Sequence, residues 1–330
     1  MISSDALPLQ AFTDLNKVRL TRTMSVAPAD TRHCRVDDMA VLPSSNLLVA
    51  DGWNQSLKVM DMETGNLLSN VQLPAGPYSL CLLPGDRAAV SLPAKRVTMI
   101  QIIEVPSDQL YLLDSVYVQG DCRGLAFMNN TFIVGLSDQQ CVASINIDGK
   151  HLKSISKDNT GNKLFKYPWN ICITTEMYGP SIYVSDCGTH TISGLSELLE
   201  VLQTYTVPYQ YIPNIMTQHR PHNLTQFRQH NQTHYGPYGL AAAGGGQLLV
   251  RGWDRDSTRL WVLDTSTGVF TERLEGRANG FWYGERVAFC PRLGRVYVNA
   301  EELHENDYIS VFEISRLYRS VIMVPAITEQ

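Results

Sequence analysis

Six times along this chain a large apolar residue is followed by a small one, and in most cases by another apolar residue. The sites are Met39-Ala40-Val41, Leu80-Cys81-Leu82, Leu125-Ala126-Phe127, Ile171-Cys172-Ile173, Leu240-Ala241-Ala242 and Val287-Ala288-Phe289. Eight to twelve residues after each small position a valine stands in a β-rich run: Val49, Val90, Val134, Val184, Val250 and Val298. A strand pair recurring at roughly 40–50 residues is the signature of propeller blades. Small side chains suit the inner strands, where blades crowd around the axis. The pattern predicts an all-β fold, a six-bladed β-propeller of four-stranded antiparallel blades.

The blades fall at about 34–73, 77–118, 123–158, 165–206, 234–276 and 281–317, within one domain covering 1–330. In blade one the strands are expected at 38–42, 46–50, 57–61 and 67–73, separated by the turn sequences Pro43-Ser44-Ser45-Asn46 and Glu63-Thr64-Gly65-Asn66. Blade five repeats the order, with Leu248-Leu249-Val250, Gly252-Trp253-Asp254 and Thr267-Gly268 matching Leu47-Leu48-Val49, Gly52-Trp53-Asn54 and Thr64-Gly65. Blade four is the least regular: Gly194 interrupts its third strand, and 196–202 reads equally as a helical turn. Blade six lacks an outer strand. The β-rich segment at about 18–26 is expected to supply it by pairing beside 308–314, closing the ring and removing its exposed edges. The alternative donor is 320–324.

Composition narrows the function classes. The chain has 330 residues, 44% hydrophobic and 18% charged, with a formal net charge of −5. That charge gives no general attraction to nucleic acid or an anionic membrane. No apolar run reaches the roughly 20 residues that span a bilayer, and the N-terminus has no signal-peptide pattern. Cysteines number seven, and Cys81 and Cys172 occupy small positions of the repeat, as buried hydrophobes rather than half-cystines. The expectation is a cytoplasmic protein, monomeric as an isolated ring, with no membrane partner.

Topology limits where a site can sit. In an up-and-down blade, the start of the inner strand and the end of the second strand share one face, and loops on that rim vary without disturbing the packing. The partner-binding candidates there are Trp53, Tyr78, Arg123, Trp169, His190, Tyr238, Trp253, Arg255 and Arg286. Proline-aromatic pairs such as Pro77-Tyr78, Pro168-Trp169 and Pro237-Tyr238 also have a structural reading, as plugs between neighbouring blades. Trp53 and Trp253 lie in turns flanked by Gly and Asn or Asp, a setting that suits recognition anchors. An insertion at about 207–233 reaches the same rim. It carries Arg220, Arg228 and, with its flank, four of the eight histidines, with no Asp, Glu or Lys over 207–234. It reads as either disordered or an anion-contacting arm.

Catalytic signatures are missing: no Gly-x-Ser-x-Gly, no His-Glu-x-x-His and no phosphate-binding loop. A lactonase-like (SMP-30-like) metal-dependent hydrolase would need oxygen ligands at the inner-strand starts. Asp38 and Asn170, with Asp37 and Glu285, are available for that role. Arg123 and Arg286 oppose a divalent cation unless adjacent acids pair with them, and Asp37 and Glu285 make a structural charge network the simpler reading. No catalytic residue, metal or cofactor is expected.

The stretch Val41-Leu42-Pro43-Ser44-Ser45-Asn46-Leu47-Leu48-Val49-Ala50-Asp51, followed by Leu57-Lys58-Val59-Met60-Asp61, resembles an NHL-type repeat, and Leu73-Pro74-Ala75-Gly76-Pro77-Tyr78-Ser79-Leu80 continues the style. The chain looks like the C-terminal NHL-like propeller of tripartite-motif (TRIM) proteins. The resemblance implies a recognition module for protein or RNA, and places it as the substrate-recognition part of a ubiquitin ligase. No cysteine-histidine array of RING spacing occurs, so ligase activity does not transfer. A protein partner ranks above RNA, because Arg123, Arg251, Arg255 and Arg286 are interrupted by Asp51, Asp186, Asp254 and Asp256.

Overall fold

Tight polar turns set the strand lengths. Asp61 Oδ1 accepts the N–H groups of Glu63 and Thr64 at 2.7 and 2.9 Å, and Gly65 follows with φ 79°. Asp264 Oδ1 does the same for Ser266 and Thr267 ahead of Gly268 at φ 72°. These side chain-to-backbone turns reverse the chain between the third and outer strands of blades one and five, which explains why their sequences agree there.

The computed structural model describes residues 18–27, 33–94, 97–176, 179–208, 236–254, 257–275, 285–302 and 305–314. Their strands form six four-stranded antiparallel sheets. The inner strands are β2 (Val36–Val41), β6 (Leu80–Leu83), β10 (Cys122–Met128), β14 (Pro168–Glu176), β18 (Pro237–Gly244) and β22 (Val287–Cys290). Each touches the next, and β22 returns to β2, so the ring is closed. The N-terminal strand β1 (Val18–Ser25) pairs with β24 (Glu305–Ile314), from Val18 opposite Ile314 to Ser25 opposite Tyr308, and completes blade six. In blade four, β16 (Thr191–Ser196) and β17 (Val201–Thr206) are both strands, joined by a turn in which Ser196 Oγ accepts the N–H of Glu200 at 3.1 Å. Of the predicted insertion, residues 209–233 lie outside the described residues. Among the described residues no helix is long and apolar enough to cross a membrane.

Among the described residues six hydrophobic clusters lie one between each pair of neighbouring blades, and the sequence repeat explains all six. On a strand, successive side chains point to opposite faces. The large residue of each repeat therefore faces back to the preceding blade while the small one faces forward. Ala40 shares a cluster with Leu80, Cys81 with Leu125, Ala126 with Ile171, Cys172 with Leu240, Ala241 with Val287, and Ala288 with Met39. One large side chain meets one small one at every junction. The seven cysteines are free thiols.

Close approach replaces side chains where blades five and six meet. A Cβ on Gly239 would stand 2.5 Å from the Glu285 carbonyl oxygen and 3.2 Å from Arg286 Cα, and backbone cannot turn aside. Gly239→Ala is expected to cost about 1–3 kcal/mol as an overpacked junction. A thermal melt checks this; an unchanged Tm would mean that the two inner strands stand further apart.

Candidate functional site: a hub of aromatic rings and guanidinium groups

Four inner strands begin with a β-bulge. Register slips occur between Val36 and Asp38, Cys122 and Gly124, Pro168 and Asn170, and Pro237 and Gly239. The extra residues are Asp37, Arg123, Trp169 and Tyr238. A bulge re-aims the side chain it carries, and Tyr78 and Glu285 hold the equivalent places ahead of β6 and β22. One such residue per blade faces this end of the ring.

Their rings meet across the axis. Tyr78 of blade two and Trp169 of blade four pack edge-to-face at 5.7 Å, bypassing blade three, and Trp169 meets Tyr238 at 5.4 Å. With Cys187 they form a buried cluster, against which Tyr167 and Trp253 pack. The Arg123 guanidinium lies 4.4 Å from the Tyr78 ring centre and 5.9 Å from that of Trp169, while Arg286 of blade six lies 5.1 Å from Tyr78. Two cations over one phenol ring are held by cation–π attraction. Burial pushes the Tyr78 phenol up, against the pull of both arginines.

Charge in the hub is mostly paired. Arg35 Nη2 is 2.9 Å from Asp37 Oδ2, and Arg123 Nε is 2.9 Å from Asp121 Oδ2. The sequence expectation paired Asp37 with Arg123 or Arg286; the nearer Arg35 takes it, because the two lie two residues apart on one side of the strand start. Burial lifts the Asp37 carboxyl to about 6 in spite of that partner.

The oxygens considered as metal ligands are used to join blades. Asp38 Oδ2 accepts Ser79 Oγ–H at 3.0 Å and the Leu80 N–H at 2.8 Å, and Asn170 Oδ1 accepts the Leu240 N–H at 3.1 Å. Comparable bonds cross the remaining junctions on this face. Thr98 Oγ donates to Gly120 O and Ser137 Oγ to Pro168 O; Arg251 Nη2 donates to Asn299 O, and Asn299 Nδ2 to Val36 O. Every junction is thus bridged by a side chain bonded to backbone. Among the described residues no group of three or more His, Cys, Asp or Glu is arranged to hold a metal ion.

The predicted rim residues separate into three groups. Tyr78, Trp169, Tyr238 and Arg286 are 2–8% exposed and belong to the hub, with Arg123 at its edge. Trp253 lies inside strand β19 (Gln247–Asp254), opposite Thr258, rather than in a turn, and leans on the hub. Trp53, 50% exposed, and His190, exposed at φ 60°, stand apart on turns. Arg220, Arg228 and Arg255 lie outside the described residues. Asp51 and Asp186, read as interruptions of a basic surface, are fully buried: Asp186 accepts the N–H groups of Lys166, Tyr167, Gly188 and Thr189. Arg251 and Arg286 are equally buried, so none of the four shapes the surface charge.

No protein-family profile and no curated protein sequence matches the chain. Solved structures do resemble it. The PQQ-bound aldose sugar dehydrogenase (Adh) of Streptomyces coelicolor aligns with TM-score 0.58 and 15% identity, over 93% of this chain and 99% of that one. The WD40 repeats of RRP9 align with TM-score 0.58 and 10% identity, over 91% and 100%. The β-propeller domain of Cps50 (Swd1) from Myceliophteria thermophila gives 0.51 and 11%, over 85% and 84%. At these identities the likeness is one of fold, and the chain is a six-bladed β-propeller whose activity must be argued from its own residues.

Proposed function

We propose that this propeller is a non-catalytic recognition scaffold that binds a protein partner on the face where its inner strands begin. Trp53 carries the reading. It is half-exposed, yet the turn beneath it is fixed: Asp51 Oδ1 accepts the Asn54 N–H at 3.2 Å, and Asp51 Oδ2 accepts Asn54 Nδ2 at 2.7 Å. A large aromatic on a pre-organised turn loses little entropy on binding, which is the profile of an interface anchor. The neighbouring hub is filled by its own packed side chains. The WD40 likeness supports a protein-interaction role, and the NHL-type motifs of blades one and two support the finer reading, the substrate-recognition part of a TRIM-type ubiquitin ligase. The formal net charge of −5 favours protein over RNA.

Affinity capture with wild type and Trp53→Ala tests this. The variant is expected to lose captured proteins, by at least tenfold, while its Tm stays within a degree or two. Capture of the same proteins in the same amounts would refute the reading. Tight single-stranded RNA binding with a steep fall between two salt concentrations would replace it with nucleic-acid recognition.

A further inference from the structure

Five of the chain's eight lysines fall within one short stretch of blade three: Lys150, Lys153, Lys157, Lys163 and Lys166. The stretch comprises the outer strand β13 (His151–Ile155) and its flanks, in a protein whose formal net charge is −5. Lys150, Lys153, Lys157 and Lys163 are exposed. Elsewhere Arg35, Lys58, Arg123, Arg259 and Arg295 each pair with a carboxylate. None of these four lysines does so among the described residues; Lys153 Nζ donates to Leu198 O and Lys163 Nζ to Gln140 Oε1, both neutral acceptors. The two aspartates nearby are held by their own turns. Asp148 accepts from Asn146 Nδ2, and Asp158 accepts from Thr160 and Asn162. Apolar side chains lie among the lysines, with Ile147, Leu152 and Leu198 51, 53 and 61% exposed. Leu152 is the extra residue of a bulge between β12 (Cys141–Asn146) and β13. As the outermost strand of its sheet, β13 is bonded to β12 on one side only.

We propose that the outer wall of blade three, centred on β13, docks an acidic extended segment of a protein partner in which apolar residues alternate with acids. Charge selects the segment. Screening confines electrostatic reach to roughly 8–10 Å, so four unpaired ammonium groups set the local field whatever the sign of the whole chain. An added strand would pair the open backbone edge of β13 and set its alternate side chains against the lysines and Leu152. A second copy of β13 is excluded from that place, because like charges would stand opposite one another. Residues 147–163 contain no Arg, Phe, Tyr or Trp, so nucleic-acid bases find no platform to stack on. Lipid would leave the open edge of β13 without hydrogen-bond partners, whereas a peptide supplies them. This wall is separate from the Trp53 turn, and the inference goes beyond the scaffold reading rather than resting on it.

Fluorescence anisotropy with short blocked peptides at matched ionic strength tests the wall. One peptide alternates glutamate with leucine, and its neutral counterpart alternates glutamine with leucine. The acidic peptide is expected to bind saturably, and the glutamine peptide at least about tenfold more weakly. The triple variant Lys150→Gln, Lys153→Gln, Lys157→Gln should weaken acidic-peptide binding about tenfold or more; Leu152→Ser should weaken it about threefold, and Trp53→Ala should leave it unchanged. These side chains are exposed, so each Tm should stay near that of wild type. If the triple variant is unstable, Lys150→Gln with Lys157→Gln replaces it and keeps the Lys153 bond to Leu198. No saturable binding, equal binding of both peptides, binding indifferent to the lysine variants, or tighter binding of single-stranded RNA or phosphatidylserine vesicles would each overturn the inference. Absent peptide binding, with protein capture still lost in Trp53→Ala, would overturn this surface alone and leave the scaffold reading standing. Peptide binding with capture unchanged in Trp53→Ala would uphold the wall and refute the Trp53 face.

Discussion

Ile171→Ala is expected to lower the unfolding free energy by about 2–5 kcal/mol, and Ala126→Leu by about 1–3 kcal/mol, yet the two together should cost clearly less than their sum. Ile171 heads the large side of the blade three to four junction and Ala126 the small side of the same cluster, which Ile133, Val142, Ile182 and Val184 complete. Truncating Ile171 opens a cavity that β14 cannot close, because β14 is hydrogen-bonded along its whole length to β15 (Gly179–Asp186). Enlarging Ala126 alone forces atoms into an interior already at crystal-like density. In the double variant the new methyl groups fill the space the old ones left. Urea unfolding of the four proteins gives the coupling energy directly. A coupling near zero would show that the alternation is not what spaces the blades.

That alternation is why so much of the fold was legible. A large-small pair recurring six times fixes blade number and inner strands, and β-rich 18–26 had one unfilled edge to pair with, the one beside β24. The hub was less legible. A bulge adds one residue to a strand without disturbing the hydrophobic pattern on either side, so nothing in the sequence says that Asp37, Arg123, Trp169 and Tyr238 turn towards the axis rather than the rim. Blade junctions hid for a different reason. Asp38, Thr98, Ser137 and Asn299 are common polar residues, and only folding brings them to backbone groups of the next blade. Arg35 and Asp121 carried no motif, although an arginine two residues from an acid at each strand start, Arg35-Val36-Asp37 and Asp121-Cys122-Arg123, is a repeated signal that was there to be read.

The least legible residue is Lys58, and its removal is expected to be among the most damaging changes available. Lysine is rarely buried, but Lys58 is 2% exposed in β4 (Ser56–Met60), beside a fully buried Asp51. Its Nζ donates to Asp51 Oδ2 at 2.7 Å, to Val26 O at 3.0 Å and to Cys34 Sγ at 2.9 Å. Val26 directly follows β1, so one ammonium ties the ring-closing strand to blade one. The thiol stays protonated, pushed up to about 12 by burial. Lys58→Met strands the Asp51 carboxylate and should cost about 3–5 kcal/mol near neutral pH. The pH dependence identifies the cause. Hydrogen bonds from Lys58 and Asn54 hold Asp51 below the ordinary carboxylate value, although burial opposes them. Its contribution is therefore present above about pH 4 and lost as pH falls through the folded value. Asp51 holds Lys58 above the ordinary lysine value, again against burial, so that contribution is complete below about pH 10 and lost as pH rises through the folded value. In Lys58→Met, burial acts on Asp51 without its cation and the carboxyl takes up a proton at higher pH than an unfolded one. The deficit against wild type should then shrink steadily on acidification from pH 7 through pH 4, as the stranded charge is neutralised. Denaturant unfolding at several pH values measures it. A deficit independent of pH would assign the loss to packing of the lysine stem rather than to the ion pair that seals the ring.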